Sequence, residues 1–220
     1  MRERPEPVCY IDLDGVLADM HAAAFELVNR TPPTEPYEFY GAVGVTHDAF
    51  FGLTSYEWWA NLKPTEYMED ILQLVDAHFP RSKQFILTAP PWMHDREHPG
   101  LSFASAGKID WVAKHLPKHF RTQTFIGNHK QELAKPGAVL IDDTLHQCLR
   151  FYKAGGSALF VPGLWNTREM DRIHNRVRGL REGMQHIVQG WKTGTAFHNT
   201  LVVPQEKTSE VADFLAPKAG

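Results

Sequence analysis

Five short apolar segments, each followed by a polar or glycine-containing turn, constrain the fold of this chain more than any other sequence feature. The segments are VCYI at 8–11, QFILT at 84–88, TQTFIG at 122–127, AVLID at 138–142 and SALFVP at 157–162. Apolar and polar residues do not alternate along them, which is typical of strands whose two faces are both buried. The segments therefore predict the strands of a parallel sheet.

Two helical patterns lie between these predicted strands. Residues 105–117 place four apolar side chains on one helix face: Ile109, Val112, Ala113 and Leu116. Residues 144–156 form the second pattern, which ends at Gly155 or Gly156. Strands and helices in alternation predict an α/β fold, a Rossmann-like open parallel sheet flanked by helices.

The ligand site of an open α/β sheet lies outside the carboxyl ends of its strands. Four residues fall at predicted strand ends: Asp12, Thr88, Gly127 and Asp142. We therefore expect the functional site at this edge of the sheet.

The interval between the first two predicted strands is too long for a simple crossover connection. Its segments AAAFELVNR, SYEWWANL and TEYMEDILQLVDAHF have helical patterns, with Asp19 and Thr65 as expected N-cap residues of the first and the last. We expect residues 19–82 to form a small helical cap, inserted after the first strand of a catalytic core made of residues 1–18 and 83–163.

A C-terminal extension, residues 164–220, follows the predicted core. Apolar residues recur in it at steps of three and four: Met170, Ile173, Val177, Leu180, Met184, Ile187 and Trp191. This stripe predicts a long helix over residues 167–192, which packs on the chain's own sheet or on a second subunit of a homodimer. The tail from Val202 onward is expected to form a short helix or to be loosely held.

Four carboxylates mark the predicted site. Asp12 and Asp14 are two residues apart, and Gly15 lets the backbone turn so that both converge on one point. Asp142 and Asp143 end another predicted strand. Such a cluster repels itself unless a cation lies among the carboxylates, and hard oxygen ligands suit Mg²⁺. All four are therefore metal-ligand candidates, with Mg²⁺ as the expected cofactor.

The same aspartates predict phosphoryl chemistry. With a phosphoryl group held against the metal, Asp12 is the expected nucleophile and Asp14 the acid that protonates the leaving oxygen. Carboxylate neighbours raise the pKa of an acid, which would help Asp14 hold its proton near neutral pH.

Two further side chains are expected to bind the phosphoryl group. Thr88 offers a hydroxyl and a backbone N–H, and Lys130 supplies positive charge as negative charge shifts in the transition state. Lys135 and Lys108 are alternatives to Lys130, and the sequence leaves that choice open.

Five motifs occur in order: DLDGVLAD from residue 12, TAP from 88, KIDWV from 108, HK from 129 and LIDDT from 140. In these motifs, the segment 8–162 resembles the haloacid dehalogenase superfamily of aspartate-nucleophile phosphatases, and within it the 5′(3′)-deoxyribonucleotidases. The resemblance implies a Mg²⁺-dependent phosphatase with a helical cap, whose substrate is a small phosphate ester, foremost a (deoxy)nucleoside monophosphate.

The resemblance also implies the roles given above to the aspartates, to Thr88 and to Lys130. Ala89 stands where the family has a serine, and Asn128 where it has an arginine. Both remain expected phosphate-binding positions, and their change bears on the substrate rather than on the catalytic core.

Aromatic residues are concentrated in the predicted cap: Phe39, Tyr40, Phe50, Phe51, Trp58 and Trp59. Most of them are expected to form the cap's own small core. One or two are expected to stack on a base, with Phe51 and Trp59 as the candidates.

Other functions are compatible with these motifs. A phosphatase or mutase for a sugar phosphate or another small metabolite uses the same pair of aspartates. An idle phosphate-binding module would keep the fold without turnover, although the presence of Asp14 favours an active enzyme. His94 and His98 have the i, i+4 spacing of a zinc site, but the neighbouring prolines disfavour a zinc helix.

Composition disfavours several classes of protein. The formal net charge is −3, with acidic and basic residues mixed along the chain, so a nucleic acid polymer is not an expected partner. Cys9 and Cys148 lack the spacing of a disulfide framework and are expected as buried thiols. Without a signal-peptide core or an apolar window of membrane-spanning length, we expect a soluble, cytoplasmic protein with no membrane partner.

Overall fold

The strands form one parallel sheet in this computed structural model, which describes residues 6–91, 100–192 and 199–216. Within those residues the order across the sheet is β3-β2-β1-β4-β5-β6. The strands are β1 (Val8–Ile11), β2 (Gln84–Thr88), β3 (Thr124–Ile126), β4 (Ala138–Asp142), β5 (Ser157–Phe160) and β6 (Leu201–Val202). Neighbouring strands pair in parallel, so the predicted α/β fold is confirmed.

The central position of β1 determines where the site can lie. Ile11 pairs with Ile86 of β2 on one side and with Ile141 of β4 on the other. The chain runs outward from β1 to β3 in one direction and from β4 to β6 in the other. The connections diverge between β1 and β4, and a crevice at the carboxyl ends of these two strands is where such sheets bind ligands.

Helices fill the connection between β1 and β2: α1 (Met20–Leu27), α2 (Phe39–Val43), α3 (His47–Leu53), α4 (Tyr56–Ala60) and α5 (Met68–Asp76). Asp19 caps α1 as predicted, because its Oδ1 accepts a hydrogen bond from Ala22 N at 3.0 Å. The prediction that Thr65 caps α5 is wrong, since α5 begins at Met68. The Thr65 hydroxyl instead donates to the Val16 carbonyl at 2.9 Å, which ties the start of α5 to the loop after β1.

The remaining helices are α6 (Gly100–His115), α7 (Leu145–Lys153), α8 (Met170–His174), α9 (Arg176–Lys192) and α10 (Thr208–Leu215). Ile109 was expected on the buried face of α6, and this is wrong because its side chain is 50% exposed. The buried face contains Ala104, Lys108, Trp111 and Val112 at helical spacing. Ile109 follows Lys108 directly and therefore points away from that face.

The apolar stripe of the extension packs on the chain's own core, which is one of the two expected arrangements. Leu180, Met184 and Ile187 are buried in the same cluster as Leu159 of β5. Gly183 allows this close approach, because a Cβ at this position would lie 2.8 Å from Leu159 Cδ2. The single long helix expected over 167–192 is interrupted, since α8 ends at His174 and α9 begins at Arg176.

The tail contains both an expected and an unexpected element. The short helix predicted after Val202 is α10, whereas the strand β6 was not predicted and pairs with Ala158 and Leu159 of β5. Cys9 and Cys148 are buried free thiols, as predicted. Among the described helices, none has the length and apolar character needed to cross a membrane.

Candidate active site

Three carboxylates meet at the carboxyl ends of β1 and β4. Asp12 follows β1 directly, Asp142 is the last residue of β4, and Asp143 is next along the chain. One oxygen from each of these three side chains lies within 4.8 Å of those of the other two, and all three residues are buried. This group could hold a metal ion, and an uncompensated cluster of buried negative charge would be unfavourable.

Lys130 lies between two of these carboxylates. Its Nζ is 2.8 Å from Asp12 Oδ1 and donates to Asp142 Oδ2 at 2.7 Å. Burial alone would lower the pKa of Lys130, but Asp12 and Asp142 raise it above its usual value, so the ammonium group stays charged. Lys135 is remote from this edge, because its carbonyl accepts from Ala138 N at the amino end of β4.

Lys108 occupies a second position in the site rather than competing with Lys130. From α6 its Nζ donates to Asp14 Oδ2 at 2.5 Å, to Thr88 Oγ1 at 3.2 Å and to the carbonyl of Ala89. The Trp59 ring covers this ammonium group, with Nζ 4.8 Å from the ring centroid. The buried lysine thus connects the end of β2 to the loop after β1.

Asp14 lies outside the group of three carboxylates that could hold a metal. Its Oδ1 is buried and has no hydrogen-bond partner in the described part of the chain. Burial raises the pKa of Asp14, Lys108 opposes that rise and Asp12 adds to it. A carboxyl group with a raised pKa can carry a proton at a pH at which an exposed aspartate cannot.

The turn that brings Asp14 into the site depends on Gly15, as predicted. Gly15 has a φ of +71°, and a Cβ there would lie 2.2 Å from Asp143 Oδ2 and 2.9 Å from His21 Cε1. The buried hydroxyl of Tyr67 donates to the Gly15 carbonyl at 2.7 Å. A larger residue than glycine would therefore displace a carboxylate of the site.

The two aspartates at the end of β4 differ in their partners. Thr144 N donates to Asp142 Oδ1 at 2.8 Å, and Trp165 Nε1 donates to Asp143 Oδ2 at 2.7 Å. Burial raises the pKa of Asp142 to about 6. Burial also raises the pKa of Asp143 well above its usual value, and the neighbouring Asp142 and Asp12 add to this.

A cavity of about 520 Å³ opens over these groups. Its floor includes Asp12, Asp14, Asn128, Lys130 and Asp143, with Ala89 at the edge. Much of the remaining lining comes from the segment between β1 and β2 and from the extension: Met20, His21, Phe39, Tyr40, His47, Phe51, Trp59, Trp165, Asn166 and Lys207. The cavity therefore places the carboxylates and Lys130 where a small molecule can reach them.

The aromatic candidates differ in how much of each ring is available. Phe51 and Trp59 line the cavity but are 7% and 1% exposed, and their parallel rings lie 6.2 Å apart. Tyr40 is partly exposed and also lines the cavity. Thr88 is fully buried behind Ala89, with its hydroxyl next to Lys108.

Several residues of the site were not found by sequence reasoning. His21, Tyr67, Trp165 and Lys207 belong to no motif, and the last two lie in the extension, beyond the segment that resembles a known family. The position of His21, two residues after the end of the DLDGVLAD motif, was the one available signal. His94 and His98 lie outside the described residues.

Comparisons with known proteins give fold similarity only. No protein-family model and no curated protein matches the chain. A phosphonoacetaldehyde hydrolase-like protein from Oleispira antarctica matches with 12% identity and a TM-score of 0.42, over 96% of this chain and 92% of that chain.

Two HAD family proteins are also similar. One, from Bacteroides thetaiotaomicron and in complex with magnesium and inorganic phosphate, has 14% identity and a TM-score of 0.36, over 76% of this chain and 98% of that chain. The other, a hydrolase from Deinococcus radiodurans R1 with bound phosphate and sodium, has 16% identity and a TM-score of 0.40, over 96% of this chain and 97% of that chain. These similarities assign no function to this chain.

Proposed function

We propose that this chain is a Mg²⁺-dependent phosphomonoesterase of the haloacid dehalogenase type, which hydrolyses a small phosphate ester through an aspartyl phosphate on Asp12. The observation that carries the proposal is the environment of Asp12. Its carboxylate lies at the floor of an open cavity, 2.8 Å from the buried ammonium group of Lys130 and next to two further carboxylates.

Asp12, Asp142 and Asp143 are the residues that would hold the metal. All three offer hard oxygen ligands, which suit Mg²⁺, and their mutual repulsion calls for a cation. A bound Mg²⁺ neutralises part of the negative charge that otherwise separates a carboxylate nucleophile from a phosphate ester.

In the first half-reaction, a carboxylate oxygen of Asp12 attacks the phosphorus atom. The bond between phosphorus and the ester oxygen breaks, and the alcohol leaves with a proton from Asp14. Lys130 offsets the charge on the phosphoryl oxygens as they pass through the transition state. Its raised pKa keeps it protonated throughout.

In the second half-reaction, Asp14 acts as a base. As a carboxylate it takes a proton from water, the water oxygen attacks phosphorus, and the bond between phosphorus and Asp12 breaks. Inorganic phosphate leaves, and both aspartates return to their starting protonation states. The raised pKa of Asp14 suits a group that must give up and regain a proton near neutral pH.

Phosphate binding falls to residues at the ends of β2 and β3. Ala89 and Asn128 border the cavity, and a backbone N–H and a side-chain amide are groups that can donate to a phosphate. Thr88 and Lys108 lie behind them, where Lys108 adds positive charge and orients Asp14. Thr88 is thus buried behind the phosphate-binding residues, where its hydroxyl accepts a hydrogen bond from Lys108.

We assign a nucleoside monophosphate as the substrate class. The cavity that contains the carboxylates is also lined by flat side chains, including Phe39, Tyr40, His47 and Phe51. Such side chains can stack on a base. Tyr40 has more of its ring available for stacking than Phe51 or Trp59.

Release of inorganic phosphate from a panel of 5′- and 3′-(deoxy)nucleoside monophosphates and sugar phosphates tests the proposal. Activity should require Mg²⁺, disappear with EDTA and be lost in Asp12→Asn. Asp213→Asn, at an exposed position of α10, is the matched control and should keep full activity. Mg²⁺-dependent release from sugar phosphates alone would overturn the substrate class, and residual turnover by Asp12→Asn would overturn the nucleophile.

A further inference from the structure

We propose that Trp165 is a positioning residue for the metal site, because its indole N–H holds the carboxylate of Asp143 from the C-terminal extension. This inference rests on the proposed function, in which Asp143 is a metal ligand. It gives the extension a role in metal binding that reaches beyond packing.

The hydrogen bond is well placed for this role. Trp165 Nε1 donates to Asp143 Oδ2 at 2.7 Å, and an indole N–H can only donate. Asp143 is buried beside Asp12 and Asp142, so its carboxylate would otherwise turn away from like charge. The indole N–H is uncharged. It can therefore fix one oxygen of Asp143 without competing with the metal for the carboxylate, as a second cation would.

The indole ring is itself held in place. It stacks on the His21 ring, with centroids 3.7 Å apart and an angle of 14° between the planes. The next residue, Asn166, donates from Nδ2 to the Asp143 carbonyl at 2.8 Å and to the Val161 carbonyl at 3.0 Å. The loop after β5 therefore donates hydrogen bonds to both the side chain and the backbone of Asp143.

The tail anchors this loop. Glu206 accepts hydrogen bonds from the hydroxyl of Thr167 and from Arg168 N, the latter at 2.7 Å. Glu206 N in turn donates to Glu169 Oε1 at 2.6 Å. Residues 167–169, which precede α8, thus contact Glu206, which follows α9. Because these contacts lie close to Trp165 in the chain, the position of the indole depends on the folded extension.

Titration of the protein with Mg²⁺ by isothermal calorimetry, without substrate, tests the inference. Trp165→Phe keeps an aromatic ring against His21 and removes the N–H. Partners of metal ligands contribute about 10- to 100-fold to metal affinity, so we expect the dissociation constant for Mg²⁺ to rise about tenfold or more. Excess Mg²⁺ should then restore much of the phosphatase activity.

Trp191→Phe is the matched control, because Trp191 packs its ring on Phe79 and takes no part in the carboxylate cluster. Equal Mg²⁺ affinity in Trp165→Phe and wild type would overturn the inference while leaving the proposed function intact. Failure of wild type to bind Mg²⁺ would overturn the proposed metal site itself. Should Trp165→Phe not fold, a benzothienyl analogue at this position, with sulfur in place of N–H, gives the same comparison.

Discussion

Lys108 Nζ lies 2.5 Å from Asp14 Oδ2, although the two residues are 94 positions apart in the chain. The lysine side chain is 1% exposed and that of the aspartate 19%. This ion pair joins α6 to the loop after β1, so it links the stability of the fold to the acid that we assign to the reaction.

Lys108→Met should therefore lower both the free energy of unfolding and the kcat of the protein. Removal of one partner of a buried ion pair costs about 3–5 kcal/mol, because the other charge stays buried without compensation. Denaturant unfolding measures the free energy, and phosphate release measures kcat. Lys114→Met, on the exposed side of the same helix, is the control. A loss below about 1 kcal/mol would mean that the pair contributes no more than a surface ion pair.

Gly15→Ala should weaken Mg²⁺ binding more than it weakens the fold. The new methyl group would lie 2.2 Å from Asp143 Oδ2, at a φ of +71° that costs an alanine about 1–2 kcal/mol. Calorimetric titration with Mg²⁺ and thermal unfolding separate the two effects. Gly52→Ala in α3 meets nothing within 4 Å and should change neither affinity nor activity. Unaltered Mg²⁺ affinity in Gly15→Ala would argue against Asp143 as a ligand.

The buried imidazole of His21 predicts a pH dependence of stability. Burial lowers the pKa of His21 to about 3, from an ordinary value of 6.5. Because the folded-state pKa is the lower one, protonation favours the unfolded chain. The contribution to stability is complete above pH 6.5 and is lost as the pH falls from 6.5 toward 3, by up to about 1.4 kcal/mol per pH unit.

His21→Gln removes this titration, so the difference in unfolding free energy between wild type and variant should change with that slope between pH 6 and pH 4. The exposed His186 of α9 provides the control variant His186→Gln. A difference that stays constant over this pH range would show that His21 is protonated in the folded protein.

Mg²⁺ should also stabilise the protein without substrate. A ligand that binds the folded state alone, at 100 times its dissociation constant, adds about 2.7 kcal/mol. Thermal unfolding with increasing Mg²⁺ should therefore show a rising midpoint, which Asp143→Asn reduces. An identical rise in Asp143→Asn would place the stabilising ion elsewhere.

The sheet and its functional edge could be predicted because buried parallel strands leave continuous apolar runs in the sequence. Asp12, Thr88 and Asp142 stand where three such runs stop, and they lie at that edge in the structure. The two-residue strand β6 is too short to leave such a pattern. The prediction for Ile109 was wrong because lysine is usually an exposed residue, whereas in this structure Lys108 occupies the buried face of α6.

The support around the carboxylates could not be predicted, since it depends on contacts between distant segments. Trp165 reaches Asp143 across 22 positions through the conformation of one loop, and Tyr67 reaches Gly15 across 52. Neither contact leaves a local pattern. The sequence offered Lys108 as an alternative to Lys130, whereas the structure brings both lysines into the site.

The central position of β1 also bears on how the chain folds during synthesis. Cys9 pairs with Gln84 on one side and with Val139 on the other, so β1 is synthesised before both of its neighbouring strands and stays unpaired until much of the chain has followed. Pairings of this separation are slow to form, and an unpaired apolar strand is prone to aggregate. We expect the helices between β1 and β2 to fold first and to shield β1 until its partners arrive.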